Sequence, residues 1–329
     1  MHLSAQRKDY TLAEKTPPLY KYCKFSDYTV KNLIAKSLSF SLIATFNDYY
    51  DSKISFGDLN YRANEEYENH SALDAILGCK PIISIEQWHD QLAEEQKSYA
   101  DFCSDSHCLC LSETNNSTLM WSHYSDNNRG ICIEYDFEQI KNNPLFYCLY
   151  PVCYTQTPIS VYDLIRRNKE TFSIELGVLV SILNKAVCWE YEREWRLVLL
   201  NDTIRRNNIE KYITINTGIE AKSITLGYNF LDNFFVELNN DSETDTLKKF
   251  KMLQLLALVA KARKIAMYQM SIDSKSFDQH SQKQIDIDLL VNFVQETKQN
   301  HDFVLRNRKY VYMSFWEELD YNNNRFSSR

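Results

Sequence analysis

The spacing of apolar residues changes repeatedly along this chain, and each change predicts an element. Alternation over residues 19–23 predicts a first strand. Ser26 or Asp27 then caps a helix whose Val30, Leu33 and Ile34 share a face, and Leu38, Phe40 and Leu42 alternate in a second strand. Residues 65–102 turn helical, with Ser84 and Gln87 at capping-box spacing. A strand at 108–111 is followed by two helical turns capped by Ser117, then by alternation of Ile131, Ile133 and Tyr135. Residues 145–154 predict a strand broken at Pro151, and 161–185 one long helix. Farther on, strands are expected at 212–215, 223–227, 265–270 and 310–315, and helices at 245–260 and 286–299.

The stretch 188–200 reads as one strand with unlike faces. Trp189, Tyr191, Arg193, Trp195, Leu197 and Leu199 fall on one side; Glu190, Glu192, Glu194, Arg196 and Val198 fall on the other. Carboxylates two residues apart on a strand lie roughly 6.6 Å apart, within reach of one substrate. Like charges in a row weaken a strand unless a cation or ligand compensates, and Arg196 is the nearest counter-charge in the row. The same pattern fits an edge strand with a solvated acidic face.

Composition narrows the chemistry. A chain of 329 residues, 44% of them hydrophobic, can bury a sizeable core, and a net charge of −7 provides no general field for nucleic acid. Six glycines are too few for glycine-rich phosphate loops, and neither the P-loop nor the dinucleotide fingerprint occurs. Nine cysteines at irregular spacing and no apolar leader suggest a reducing cytoplasm without membrane attachment. Cys103, His107, Cys108 and Cys110 lack a second ligand pair, so they read as structural thiols rather than a metal site.

The remaining candidates are polar groups beside aromatic ones. The segment Phe46-Asn47-Asp48-Tyr49-Tyr50-Asp51 is a loop suited either to hold a ligand through Asn47 or to form an Asx-turn. His123 can move a proton and Tyr124 can orient a ribose or phosphate oxygen; both also fit a packed corner. Trp121 with Tyr20, Tyr22 or Tyr50 could sandwich a flat ring. Asp48, Asp51, Glu192 and Glu194 could instead serve a magnesium-dependent nuclease.

Leu19-Tyr-Lys-Tyr22, Phe46-Asn47-Asp48, Cys110-Leu-Ser112, Met120-Trp-Ser-His-Tyr124 with Gly130, and Trp189-Glu-Tyr-Glu-Arg-Glu-Trp-Arg196 together resemble a bacterial family known as a domain of unknown function. That family usually has Pro where this chain has Tyr49. In plan the chain also resembles ADP-ribosyltransferases, whose late strand bears Glu-x-Glu. This second resemblance implies Glu194 as the acid on the nicotinamide ribose, Glu192 as the acceptor-orienting acid, Lys21 or Tyr22 at the first strand position, and His123 or Tyr124 at the second. Asn47, Ser112, Trp121 and Arg196 join Lys21 and Tyr22 as candidate contacts to NAD.

The expectation is therefore an α+β fold with a mixed or antiparallel sheet core and flanking helices, of the ADP-ribosyltransferase type that the second resemblance implies. Residues 1–18 are expected as a mobile lead-in, 19–275 as the domain carrying the site, and 276–329 as a helical and strand appendage. The function expected is an NAD-consuming effector, a toxin or phage-defence protein, with a protein or nucleic-acid acceptor. A metal-dependent nuclease and a non-enzymatic sensor or adaptor binding a protein partner through its C-terminal segment stand as alternatives.

Overall fold

A computed structural model describes residues 16–80, 83–167, 173–200, 210–230, 243–272 and 280–299. The expected strand at 310–315, most of the lead-in and the tail from Asn322 lie outside them. The architecture is α+β with a mixed, mostly antiparallel sheet. The chain forms two compact units, one from Met1–Leu38, Leu111–Phe146 and Ile215–Arg329, the other from Ser39–Cys110 and Tyr147–Thr214. Its crossings at 38/39 and 110/111 fall inside the strands β2 (Ser37–Leu42) and β3 (His107–Ser112).

In the first unit β1 (Leu19–Cys23) pairs antiparallel with β4 (Ile131–Tyr135), from Leu19 opposite Tyr135 to Cys23 opposite Ile131. β10 (Ala221–Leu226) adds antiparallel to β4 through an irregularity between Ala221 and Ser223. β11 (Ala266–Ile272) runs parallel to β10, and a parallel neighbour needs a crossover, which α7 (Glu243–Arg263) supplies. β12 (His280–Gln284) closes that side antiparallel to β11. No strand was expected there, and its polar sequence HSQKQ explains why.

Helices α1 (Asp27–Ala35) and α8 (Ile287–Gln299) pack on α7. Ser26 caps α1 as expected, and Arg263 donates to the carbonyls of Leu33 (2.6 Å) and Ile34 (2.7 Å) at its other end, supplying partners that a helix C-terminus lacks. Residues 280–299, expected in an appendage, thus belong to the first unit.

The second unit sets the hairpin of α2 (Leu59–Ile76) and α3 (Ile85–Ser104) beside α5 (Val161–Arg167) and α6 (Ile174–Ile182). Phe56, Tyr99, Tyr162, Val178, Ile182 and Val198 share its core. The capping box forms in full, Ser84 N–H to Gln87 Oε1 at 2.8 Å and Gln87 N–H to Ser84 Oγ at 3.2 Å. Where one helix was expected over 161–185, the structure has α5 and α6. Ser173 accepts from the Leu176 N–H (3.3 Å) and starts a new helix, which ends before the short strand β7 (Asn184–Ala186). Apolar periodicity continues across such a break, so the cap was the signal that mattered.

Candidate functional site

The stretch 188–200 is not one strand. Residues Val187–Glu192 form a 3-10 helix, Arg193 stands in the left-handed region (φ 45°, ψ 54°), and only Glu194–Leu199 is extended, as β8. The turn before β8 destroys the alternation expected for 188–193. From Glu194 onward the predicted faces hold, but both are buried, because β8 lies between β3 and β5 (Leu149–Pro151) rather than at an edge. A non-glycine residue held left-handed costs on the order of 1–3 kcal/mol. Here it folds Glu192 back toward Glu194, so both carboxylates reach one ammonium.

That ammonium belongs to Lys185, at the centre of β7. Its Nζ lies 2.5 Å from Glu192 Oε2, 2.9 Å from Glu194 Oε2 and 3.6 Å from Asp51 Oδ2. Arg196, fully buried, donates Nε to Glu194 Oε1 (2.8 Å) and Nη2 to Glu194 Oε2 (2.9 Å). On its other side Nη1 and Nη2 grip Asp51 Oδ1 (2.7 Å) and Oδ2 (2.6 Å), and Nη1 also donates to the Ile182 carbonyl (2.5 Å). Nη1 lies 3.2 Å from the Ser52 hydroxyl as well, so the five N–H groups meet six acceptors. The Tyr154 hydroxyl accepts the Glu194 N–H at 2.8 Å. Two rings lie against the cations: Trp189 with its centroid 5.1 Å from Lys185 Nζ, and Phe46 5.4 Å from the Arg196 guanidinium.

Burial opposes ionisation of Glu194, but the charges of Arg196 and Lys185 outweigh it, aided by hydrogen bonds from Arg196 and the Cys110 thiol. Its pKa falls to about 2. Burial likewise disfavours the Lys185 ammonium, yet Glu194 and Glu192 hold it well above its ordinary range. Burial raises the Tyr154 hydroxyl, so it stays protonated. Among the described residues, three carboxylates meet two cations in this cluster, a formal excess of one negative charge.

Residues 120–197 match a protein family of unknown function, DUF2971. The matched segment contains Met120 to Tyr124, together with Lys185, Glu192, Glu194 and Arg196. The motifs at 19–22, 46–48 and 110–112 lie outside it. No curated protein and no solved structure matches the chain.

Sequence-predicted residues divide between the two units. Glu192, Glu194 and Arg196 meet in the second. Asn47 belongs there too, exposed on the loop that leads to Asp51, and it is Asp48 that makes the Asx-turn, accepting the Tyr50 N–H at 3.0 Å. Lys21, Tyr22, Ser112, Trp121, His123 and Tyr124 belong to the first unit. There the Tyr22 hydroxyl donates to the Thr114 carbonyl (2.9 Å), the Tyr22 and Trp121 rings meet edge to face at 5.2 Å, and Trp121 Nε1 donates to the Asn115 carbonyl (2.8 Å). Both rings are buried and locked in place. Ser112, buried on β3, accepts the Thr114 N–H at 3.1 Å. His123 is exposed on α4 (Thr118–Tyr124), its ring 6.2 Å from that of Tyr124, and Lys21 is half-buried on β1.

Sequence reasoning missed Lys185 and Tyr154, and weighed Asp51 only as a metal ligand. No local motif announces these residues; β7, β8 and the 46–52 loop bring them together. Among the described residues no group of three or more His, Cys, Asp and Glu side chains is arranged to hold a metal ion, and the Lys185 ammonium occupies the focus of the acids proposed for one.

Proposed function

We propose that the second unit cleaves the bond between nicotinamide and ribose in NAD, as a glycohydrolase or an ADP-ribosyltransferase. The observation that carries this reading is the fixed excess negative charge around Glu194, whose carboxylate stays ionised at any physiological pH. A dissociating N-glycosidic bond passes through an oxocarbenium-like state, and a preorganised anion in a low-dielectric site stabilises that charge without reorganising. The bonding electrons leave with nicotinamide. Water or an acceptor group then attacks the sugar carbon, giving ADP-ribose and a proton when water is the nucleophile.

Glu194 serves as the electrostatic partner rather than a proton donor, and Glu192, sharing Lys185 with it, orients the acceptor. Proteins or nucleic acids are the acceptor classes in keeping with a toxin or defence effector. Incubation with NAD and cell lysate should release nicotinamide. Glu194→Gln keeps the side-chain shape and removes the excess charge, so it should fold and lose at least a hundredfold in turnover; unchanged turnover would sink the assignment.

One observation favours a second reading, in which the cluster is architectural. Every Arg196 donor is already used inside the protein. Under that reading Glu192→Gln and Glu194→Gln change stability alone, and no nicotinamide appears with either variant or the parent.

A further inference from the structure

The loop that delivers Asp51 to Arg196 also holds two tyrosines out into solvent. Tyr49 is 74% exposed and Tyr50 71% exposed, although neighbouring aromatic residues such as Phe56 are buried. Exposed aromatic side chains are usually free to turn. These stand on a backbone fixed from both ends.

Asp48 accepts the Tyr50 N–H (3.0 Å) through its side chain and the Asp51 N–H (3.3 Å) through its carbonyl. Asp51 is clamped by two nitrogens of buried Arg196. Ser52, held left-handed at φ 59°, donates its hydroxyl to Asp51 Oδ1 (2.8 Å) and accepts the Cys103 thiol on its carbonyl (3.2 Å). The two rings meet edge to face with centroids 5.2 Å apart, and Lys53 Nζ lies 4.9 Å from the Tyr49 ring. A left-handed non-glycine residue and a buried ion pair together hold two large apolar rings in water, an arrangement that stability alone does not reward.

We infer that Tyr49, Tyr50 and Lys53 form a preorganised platform for a nucleobase carrying a phosphate, the base stacking on one ring that the other buttresses edge-on and the ammonium meeting the phosphate. An aromatic face accepts any base, and a cation beside it, here the Lys53 ammonium over one face of Tyr49, selects the anionic ligand over the bare nucleoside. The inference deepens the proposed function, on which it rests for its choice of substrate: the adenylate half of NAD presents a base and a phosphate together. A nucleic-acid strand presents the same chemistry.

Calorimetric titration with AMP tests it. The parent protein should bind AMP, and Tyr49→Ala/Tyr50→Ala should weaken binding at least about tenfold, as loss of base stacking implies. Tyr49→Phe, which keeps the ring, should bind normally, and Lys53→Gln should bring AMP down to the affinity of adenosine. Oligodeoxyadenylate binding more tightly than AMP, with the same dependence on the tyrosines, identifies a strand as the ligand; equal binding identifies the free nucleotide. No AMP binding by the parent, or equal binding by the double alanine variant, overturns the platform. Failure of the two proposals is separable: nicotinamide release with tyrosine-independent AMP binding removes the platform alone, whereas tyrosine-dependent AMP binding without nicotinamide release removes the NAD-cleaving activity alone.

Discussion

Arg196 spends all its donors on two carboxylates, a hydroxyl and a carbonyl, and is itself fully buried. Removing one member of a buried ion pair strands the other without water. Arg196→Met should therefore cost about 3–5 kcal/mol in urea unfolding, whereas the charge-removing Glu194→Gln should cost less because the remaining groups balance. Thiols offer a second check at this scale. Cys79, Cys153 and Cys188 are exposed, whereas burial pushes Cys103 up to about 12, so it stays a thiol at neutral pH. Labelling the native protein at pH 8 with a thiol reagent should modify the three exposed cysteines rapidly and Cys103 only on unfolding.

At the scale of elements, caps and close approaches decide more than periodicity does. Ser84→Ala removes one half of the α3 capping box and should cost about 1 kcal/mol. Gly130→Ala should cost more. A Cβ there would stand 2.3 Å from the Cys23 carbonyl and 2.8 Å from that of Ser125, backbone atoms that cannot step aside. The resulting overpacking is worth about 1–3 kcal/mol, read from thermal or urea unfolding of both variants. Most strands and capped helices were legible because their signals are local: Ser26, Ser84 and Ser117 all cap helices as their spacing implied. The break between α5 and α6 and the turn at Arg193 were not, since apolar spacing continues through the first and a left-handed arginine has no sequence signature.

For the whole molecule the charge cluster predicts an acid limit. The Glu194 carboxyl titrates at about 2 when folded and at about 4.3 in an unfolded chain, so between those values the unfolded state binds more protons. Stability contributed by Glu194 is present above about pH 5 and is lost as pH falls toward 2. Unfolding free energies measured across that window should decline less steeply for Glu194→Gln than for the parent. No described helix is long and apolar enough to cross a membrane.

Hydrophobic period and capping act over a few residues, so the α+β class, the principal helices and strands, and the prominence of Glu192, Glu194 and Arg196 can be read from the chain alone. Tertiary structure alone decided what those charges are for one another. Lys185 and Asp51 join them from positions 185 and 51, far from β8 or across a turn, and buried charges can persist only where such distant partners satisfy them. Tertiary structure likewise buried Tyr22 and Trp121 while leaving Tyr49 and Tyr50 in water, a distinction that four aromatic residues in similar polar surroundings do not carry in their sequence.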